Sequence, residues 1–458
     1  MEAREKKFKI QSEKYGFNSD YRKTINHNLK QYNKAVIQGK KYFSSLEKAK
    51  DSASKVKDYV LNNLDKLLIE FEHNALQNGI EVLWASNIQE ALDHVIDIVK
   101  KEDAKLVVKS KSMISEELEL NDFLEKNGVR SVETDLGEFI VQLAGEKPFH
   151  LLTPAMHKSK EDVAKLFKEK YDTPENASPE EITKFVRKIL RKEFMQADIG
   201  ISGANFLIAE SGSVALTENE GNGLMTTTWP RVHLAITGIE KILPSLRDLD
   251  LFWNLVSVVG TGQNITAYNS IISGPKRDNE TDGPEKMYLI LLDAGRTNLF
   301  DQKDHYDALK CIRCGACLNC CPVYKTIGGH TYDTVYAGPI GSVISMYLEG
   351  SKDAGFLNFA STLCGKCTEV CPVKIPLHRM LLLNRKKLVE EGKKAKFEKT
   401  FFKYYKRYML KRKKLDRVSS GWKNKAMRSV GKKVWGDRRE VPVFAKESFT
   451  SRWKKKHG

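Results

Sequence analysis

The chain has 458 residues, 41% of them hydrophobic, with a net charge of +17, which is enough for two or three domains with buried cores. No run approaches the ~20 apolar residues that span a bilayer, and the charged opening Met-Glu-Ala-Arg-Glu-Lys-Lys lacks the apolar stretch of a signal peptide. From residue 380 onward 27 Lys and Arg face 7 Asp and Glu, so the remainder is close to neutral, which argues against a nucleic-acid-binding protein as a whole.

Residues 1–77 are polar and helical in pattern, with Tyr21, Ile25, Leu29, Tyr32 and Val36 at helical spacing and a second stripe through Val56, Val60, Leu64, Leu67 and Leu68. From Gly79 the pattern changes to short strands alternating with helices. Strands are expected at Ile80–Trp84, Ala104–Val108 and Val129–Glu133, and helices at Asn87–Lys101 and Ser115–Asn127. This alternation predicts a parallel sheet covered by helices. The apolar run Leu251–Val259 reads as a buried strand, as does Met287–Leu292.

Polar turns follow several of these strands, at Glu133–Glu138, Asp198–Asn205, Glu210–Thr217, Glu218–Gly223 and Trp229–His233. Parallel sheets bind ligands at the carboxyl ends of their strands, so these turns predict a pocket. Neither GxGxxG nor GxxxxGK[ST] occurs, so no dinucleotide or P-loop site is signalled.

All eight cysteines lie between Cys311 and Cys371. The first group, Cys311-Ile-Arg-Cys314-Gly-Ala-Cys317-Leu-Asn-Cys320-Cys321-Pro322, contains the C-x2-C-x2-C-x3-C-P spacing of bacterial ferredoxins. The second is Cys364-Gly-Lys-Cys367-Thr-Glu-Val-Cys371-Pro372. Three-residue steps turn successive thiolates toward one cluster, and the cysteine before proline ligates the other. Disulfides belong to small secreted chains, and zinc sites use two-plus-two patterns, so the spacing points to two [4Fe–4S] clusters. The expected ligands are Cys311, Cys314, Cys317 and Cys371 for the first cluster and Cys321, Cys364 and Cys367 for the second. Ser361 stands where a further cysteine would complete the second motif. The second cluster's fourth ligand is left open among Cys320, Ser361, solvent, a substrate or partner group, and a three-iron cluster. Free thiols and iron–sulfur ligation fit a reducing cytoplasm.

Between the motifs, Gly338, Pro339 and Gly341 mark a turn and Ser342–Tyr347 a helix, an inserted arm suited to docking on another domain or subunit. The tail interleaves Lys393–Lys396, Lys411–Lys414 and Lys454–Lys456 with Phe401, Phe402, Tyr404, Tyr405, Tyr408, Trp422 and Trp435. It reads as a solvated extension, or as a dock for an acidic partner or an anionic membrane surface. Nucleic acid is the less favoured partner.

The order of these parts resembles the lactate utilization protein B family: Glu133–Glu138, Ala209-Glu-Ser-Gly212 and Thr237-Gly-Ile-Glu240 precede Cys-Ile-Arg-Cys-Gly-Ala-Cys and Leu-Cys-Gly-Lys-Cys. The resemblance covers nearly the whole chain. It implies an α/β LUD domain similar to the fold of CoA transferases and glucosamine-phosphate deaminases. A helical N-terminal region would precede it, and an α-helical dicluster ferredoxin domain and a basic helical or disordered tail would follow. The expected divisions are 1–77, 78–300, 301–379 and 380–458. It further implies electron transfer in a complex oxidising L-lactate to pyruvate, with a second LUD protein and a cysteine-rich reductase-like subunit as partners. In the family the second motif also begins with serine, and an apolar residue is expected where Cys320 stands. Fold-level analogy makes Glu210 a candidate catalytic residue. The competing functions are electron transfer from another 2-hydroxy acid such as glycolate, and an iron–sulfur redox sensor.

Overall fold

The computed structural model describes residues 2–391, 396–411, 414, 417–431 and 440–457. The chain folds into two compact units, residues 1–385 and 386–458.

The larger unit is built on a six-stranded, wholly parallel sheet. Its strands are β1 (Ile80–Ala85), β2 (Leu106–Lys109), β3 (Arg130–Glu133), β4 (Ile199–Ser202), β7 (Val232–Gly238) and β10 (Lys286–Leu292), in the order β1-β10-β7-β4-β2-β3. The central strands β7 and β10 are apolar almost throughout because both of their faces are covered. A smaller sheet of β5 (Phe206–Ile208), β6 (Ser213–Glu218), β8 (Ile242–Leu243) and β9 (Tyr268–Ile272) has the order β8-β5-β6-β9.

Helices α1 (Glu2–Gly16), α2 (Ser19–Gly39), α3 (Leu46–Asn62) and α4 (Leu64–Gln77) precede β1. One face of the main sheet packs Ile201, Leu234 and Ile290 against Val95, Ile98 and Val99 of α5 (Ile88–Lys101). Asn87 caps that helix by accepting the Glu90 amide at 3.0 Å. The other face packs Leu289 and Leu291 against Leu67 and Phe71 of α4 and Leu207 and Val214 of the small sheet.

The expected helix 115–127 is two pieces, α6 (Met113–Glu117) and α7 (Leu120–Lys126). The break falls at Glu119, whose φ of 47° lies in the left-handed region. The strand expected at 251–259 is instead part of a helix, Leu246–Gly260. A capping box between Ser245 and Asp248 starts it, and Leu249, Phe252, Leu255, Val258 and Val259 form its buried stripe. Between these elements lie α8 (Leu136–Leu143), α9 (Lys160–Tyr171), α10 (Pro179–Gln196) and α11 (Asn222–Thr228), which makes Leu246–Gly260 α12.

The helices around the cysteines are α13 (Arg296–Phe300), α14 (Ala316–Cys320), α15 (Pro322–Ile327), α16 (Gly338–Leu348), α17 (Ser351–Ala354), α18 (Lys366–Glu369) and α19 (Leu377–Glu390); α14 holds Cys317 and Cys320, and α18 holds Cys367. Gly338 and Pro339 do not form a free turn; they open α16, and Gly338–Met346 are buried. The insert is thus interior packing, continuous with a core that also takes in Ile25 and Leu29 of α2 and Phe252 and Leu255 of α12. Among the described residues no helix is long and apolar enough to cross a membrane.

In the smaller unit, helices span Lys396–Met409, Ser420–Ala426 and Phe449–His457. Phe402, Tyr404, Tyr405, Tyr408 and Trp422 are exposed. Lys393, Lys394, Arg412, Lys413, Trp435 and the Phe401 side chain lie outside the described residues.

Candidate metal centre and adjoining pocket

The first cysteine loop leaves a 3-10 turn at Tyr306–Lys310 and enters α14. Arg313 (φ 56°) and Gly315 (φ 71°) both take left-handed conformations. This curl turns the three thiols of Cys311, Cys314 and Cys317 toward one small apolar cavity, and Cys371 reaches the same cavity from the second motif. Ile340, Val373 and Ile375 complete its walls. Backbone amides approach the sulfurs, with Arg313 N at 3.4 Å from Cys311 Sγ and Ile375 N at 3.4 Å from Cys371 Sγ. Such contacts tune iron–sulfur potentials.

Cys320 ends α14 and Cys321 caps α15, while α18, which packs on α14, carries Cys367. Burial, then the nearby Cys367 and Cys321 thiols, push the Cys320 thiol up to about 12. Cys320 Sγ also lies 3.4 Å from the Cys317 carbonyl oxygen. Ser361 Oγ accepts the Leu363 amide at 3.1 Å. Cys364 is the exposed member of the eight, and its thiol is lowered, chiefly by a backbone hydrogen bond at Lys366.

The donor set fits iron–sulfur clusters. All eight cysteines are free thiols. Among the described residues none belongs to a set of three donor atoms within 4.8 Å of one another, whereas a tetrahedral zinc site holds its sulfurs about 3.8 Å apart.

Beside this centre is a polar cavity of about 370 Å³ at the carboxyl ends of the parallel strands. Ser110–Ser112 follow β2, Asp135 follows β3, Gly203–Asn205 follow β4, and Glu240 and Lys241 follow β7. Of the expected strand-end turns, those at Glu133–Glu138, Asp198–Asn205 and Glu218–Gly223 contribute to it, as do Leu216 and Thr217. Ile312 and Arg313, from between Cys311 and Cys314, form part of the wall. The pocket and the first metal centre therefore share a loop.

A buried ionic network holds that loop. Glu240 Oε2 accepts Arg296 Nε at 2.8 Å, and Arg313 stands 3.6 Å from the other oxygen. Arg296 also donates to both oxygens of Glu117 at 3.0 Å. Tyr336 donates to Glu117 at 2.7 Å and lies under the Arg313 guanidinium, 4.3 Å from ring centre to Cζ. Burial alone would raise the Glu240 carboxyl; Arg296, Arg313 and Lys241 outweigh it and hold it at about 2. Glu220, an exposed residue that also lines the pocket, accepts the Leu136 amide at 3.0 Å. Partial desolvation and then the neighbouring Asp135 push that carboxyl up to about 7.

Glu210 lies elsewhere. It is exposed, outside the residues that line the cavity, and its carboxylate accepts the Leu246 amide at 3.1 Å at the start of α12. Lys111, Lys241 and Tyr336 carry no periodic or motif signal and were not legible as pocket residues. The basic residue between Cys311 and Cys314 was the one available clue.

The family model of the LUD domain matches residues 68–292, and that of a 4Fe-4S dicluster domain matches residues 307–375. The lactate utilization protein B of Bacillus subtilis is 43% identical over 350 residues, covering 76% of this chain and 73% of its own. That of Bacillus cytotoxicus is 40% identical over 424 residues, covering 90% and 89%. A solved DUF162 family protein from Deinococcus radiodurans covers 50% of this chain and 98% of its own at 13% identity, with a TM-score of 0.29, too slight a likeness to bear on the fold.

Proposed function

This chain belongs to the lactate utilization protein B family, carrying a LUD domain and a two-cluster 4Fe-4S domain, and on that premise we propose that it is the iron–sulfur electron-transfer subunit of a complex oxidising L-lactate to pyruvate. The carrying observation is the shared loop: Ile312 and Arg313 line the polar pocket while Cys311 and Cys314 line the metal cavity.

Cys311, Cys314, Cys317 and Cys371 would hold one cluster, and Cys321, Cys364 and Cys367 the other, with Cys320 close by. When bound, such clusters carry electrons one at a time. Oxidising lactate to pyruvate releases two electrons and two protons, so a hydride-accepting group such as a flavin is required of a partner subunit or of a ligand in the pocket. Arg313 and Lys241 offer positive charge for a carboxylate there, and Glu220 beside Asp135 offers a carboxyl that gains and loses a proton near neutrality. Cys364, the exposed one of the eight cysteines, supports an electron exit toward a partner on the second cluster's side. A second LUD protein and a cysteine-rich reductase-like subunit are the partners the family resemblance implies, and the same resemblance supports a CoA-transferase-like fold for the α/β part.

The test is L-lactate-dependent bleaching of cluster absorbance in the complex purified anaerobically with its partners, alongside growth on L-lactate of a deletion strain lacking other lactate dehydrogenases. Unimpaired growth refutes the assignment. Bleaching by glycolate but not by L-lactate moves it to another 2-hydroxy acid.

A further inference from the structure

A second buried polar cluster lies next to the pocket and has no part in the proposed electron transfer. Lys109 and Glu133 end the neighbouring strands β2 and β3, Glu116 stands on α6, and Glu138 on α8. Glu133 Oε1 is fully engaged, accepting Lys109 Nζ at 2.6 Å and Asn121 Nδ2 at 2.7 Å. Its Oε2 has no hydrogen-bond partner, and neither has either oxygen of Glu138, a residue only 1% exposed. One oxygen from each of Glu116, Glu133 and Glu138 lies within 4.8 Å of the other two. All three residues line a cleft of about 360 Å³.

Charge does not balance in this cluster. Three carboxylates face one ammonium, and that ammonium is spent on Glu133 and Asn121, standing 3.9 Å from Glu116. A buried carboxylate without a partner costs several kcal/mol, so such groups are paired, protonated or bound to metal. An all-oxygen donor set in an open cleft, with room for water to complete the shell, suits a hard cation rather than a thiophilic one.

We propose that Glu116, Glu133 and Glu138 bind a divalent cation of the Mg²⁺, Ca²⁺ or Mn²⁺ class in the cleft between β3, α6 and α8. The ion would fasten two pieces of the pocket's surroundings. Helix α6 carries Glu117, which grips Arg296, and α8 is capped by Asp135 of the pocket wall.

The experiment is titration of chelator-treated, anaerobically purified holoprotein with MnCl₂, reading bound ion from loss of the free Mn²⁺ resonance while the clusters are oxidised and silent. About one Mn²⁺ per chain is expected, displaced by Mg²⁺ or Ca²⁺. Glu138→Gln should weaken it at least about tenfold with iron content unchanged. If Glu138→Gln does not fold, Glu116→Gln, on a half-buried carboxylate, should weaken it likewise. Absence of binding up to millimolar Mn²⁺ overturns the proposal and leaves a proton on Glu138 as the balancing charge. Unchanged affinity in either soluble variant overturns it as well. So does loss of the ion in Glu146→Gln with retention in Glu138→Gln, because that places it on Glu146, His157 and His330.

Discussion

Replacing Arg296 by Met would test whether the ionic network is what joins the α/β sheet to the cysteine loop. Methionine keeps the apolar stem and removes the guanidinium, which is 2% exposed and donates to Glu240, to both oxygens of Glu117 and to the Asp293 carbonyl. Two carboxylates, 3% and 9% exposed, then lose their main partner. Breaking one buried pair costs about 3–5 kcal/mol because an uncompensated charge remains. Glu240 keeps Arg313 at 3.6 Å and Glu117 keeps the Tyr336 hydroxyl, so the lower end, about 3 kcal/mol, is expected. That is roughly a 150-fold shift in the unfolding equilibrium. Urea unfolding of the anaerobic holoprotein, followed by tryptophan fluorescence, measures it, with Glu240→Gln and the double variant closing a cycle. The sign of the pH dependence is also fixed. Glu240 at about 2 in the folded protein contributes stability that is present above its unfolded value near 4.5 and lost as pH falls toward 2. In the variant its folded value rises instead, so the deficit is largest at neutral pH and shrinks in mild acid. A loss below about 1 kcal/mol, or a strictly additive cycle, would refute the account of Arg296 as the rivet.

Gly329→Ala should leave the chain insoluble or cost more than about 3 kcal/mol, since its Cβ would stand 1.8 Å from the Phe149 carbonyl oxygen; a soluble variant with an unchanged urea midpoint contradicts this. Glu102 gives a second pH window: burial would raise its carboxyl, but hydrogen bonds from Lys286, Arg231 and Tyr288 hold it at about 2. Its contribution is present above about 4.5 and lost toward 2. Because Arg231 and Lys286 are 42% and 49% exposed, Glu102→Gln should cost only about 1–2 kcal/mol at neutral pH and flatten that acid limb in a urea-midpoint series. Cys371→Ser should remove about half of the bound iron, and Cys320→Ser should leave the iron count intact if three thiolates suffice for the second cluster; loss of a whole cluster in Cys320→Ser shows that thiol to be a ligand.

The cysteine spacing was legible because cluster ligation is set by a few consecutive residues, and local curvature at Arg313 and Gly315 is enough to converge the thiols. The parallel sheet was legible for a similar reason: strands such as Met287–Leu292 announce two-sided burial by continuous apolar sequence. The same signal misled at Leu251–Val259, where a continuous apolar run is equally compatible with a buried helix, and only the Ser245–Asp248 capping box distinguishes the two. Strand-end polarity anticipated Asn205 and the Glu218–Gly223 turn. It could not anticipate Lys241, Arg313 or Tyr336, whose place in the wall depends on contacts between segments distant in sequence. Glu210 is a motif position whose carboxylate accepts the amide at a helix start and lies outside the residues lining the pocket.

The partners of α1 have a consequence for synthesis. Phe8 packs on Tyr332 and Phe356, Lys7 pairs with Asp333, and Arg4 pairs with Glu349. At about 5–20 residues per second, a nascent chain exposes that helix for roughly 20–70 s before its partners leave the ribosome. Its mean polarity is then an asset, since a strongly apolar face would invite aggregation during the wait. The metal centres face the same delay, because Cys371 must arrive before Cys311, Cys314 and Cys317 have their fourth wall. Cluster insertion and closure of the first helix are thus both late events, each waiting on residues beyond 330.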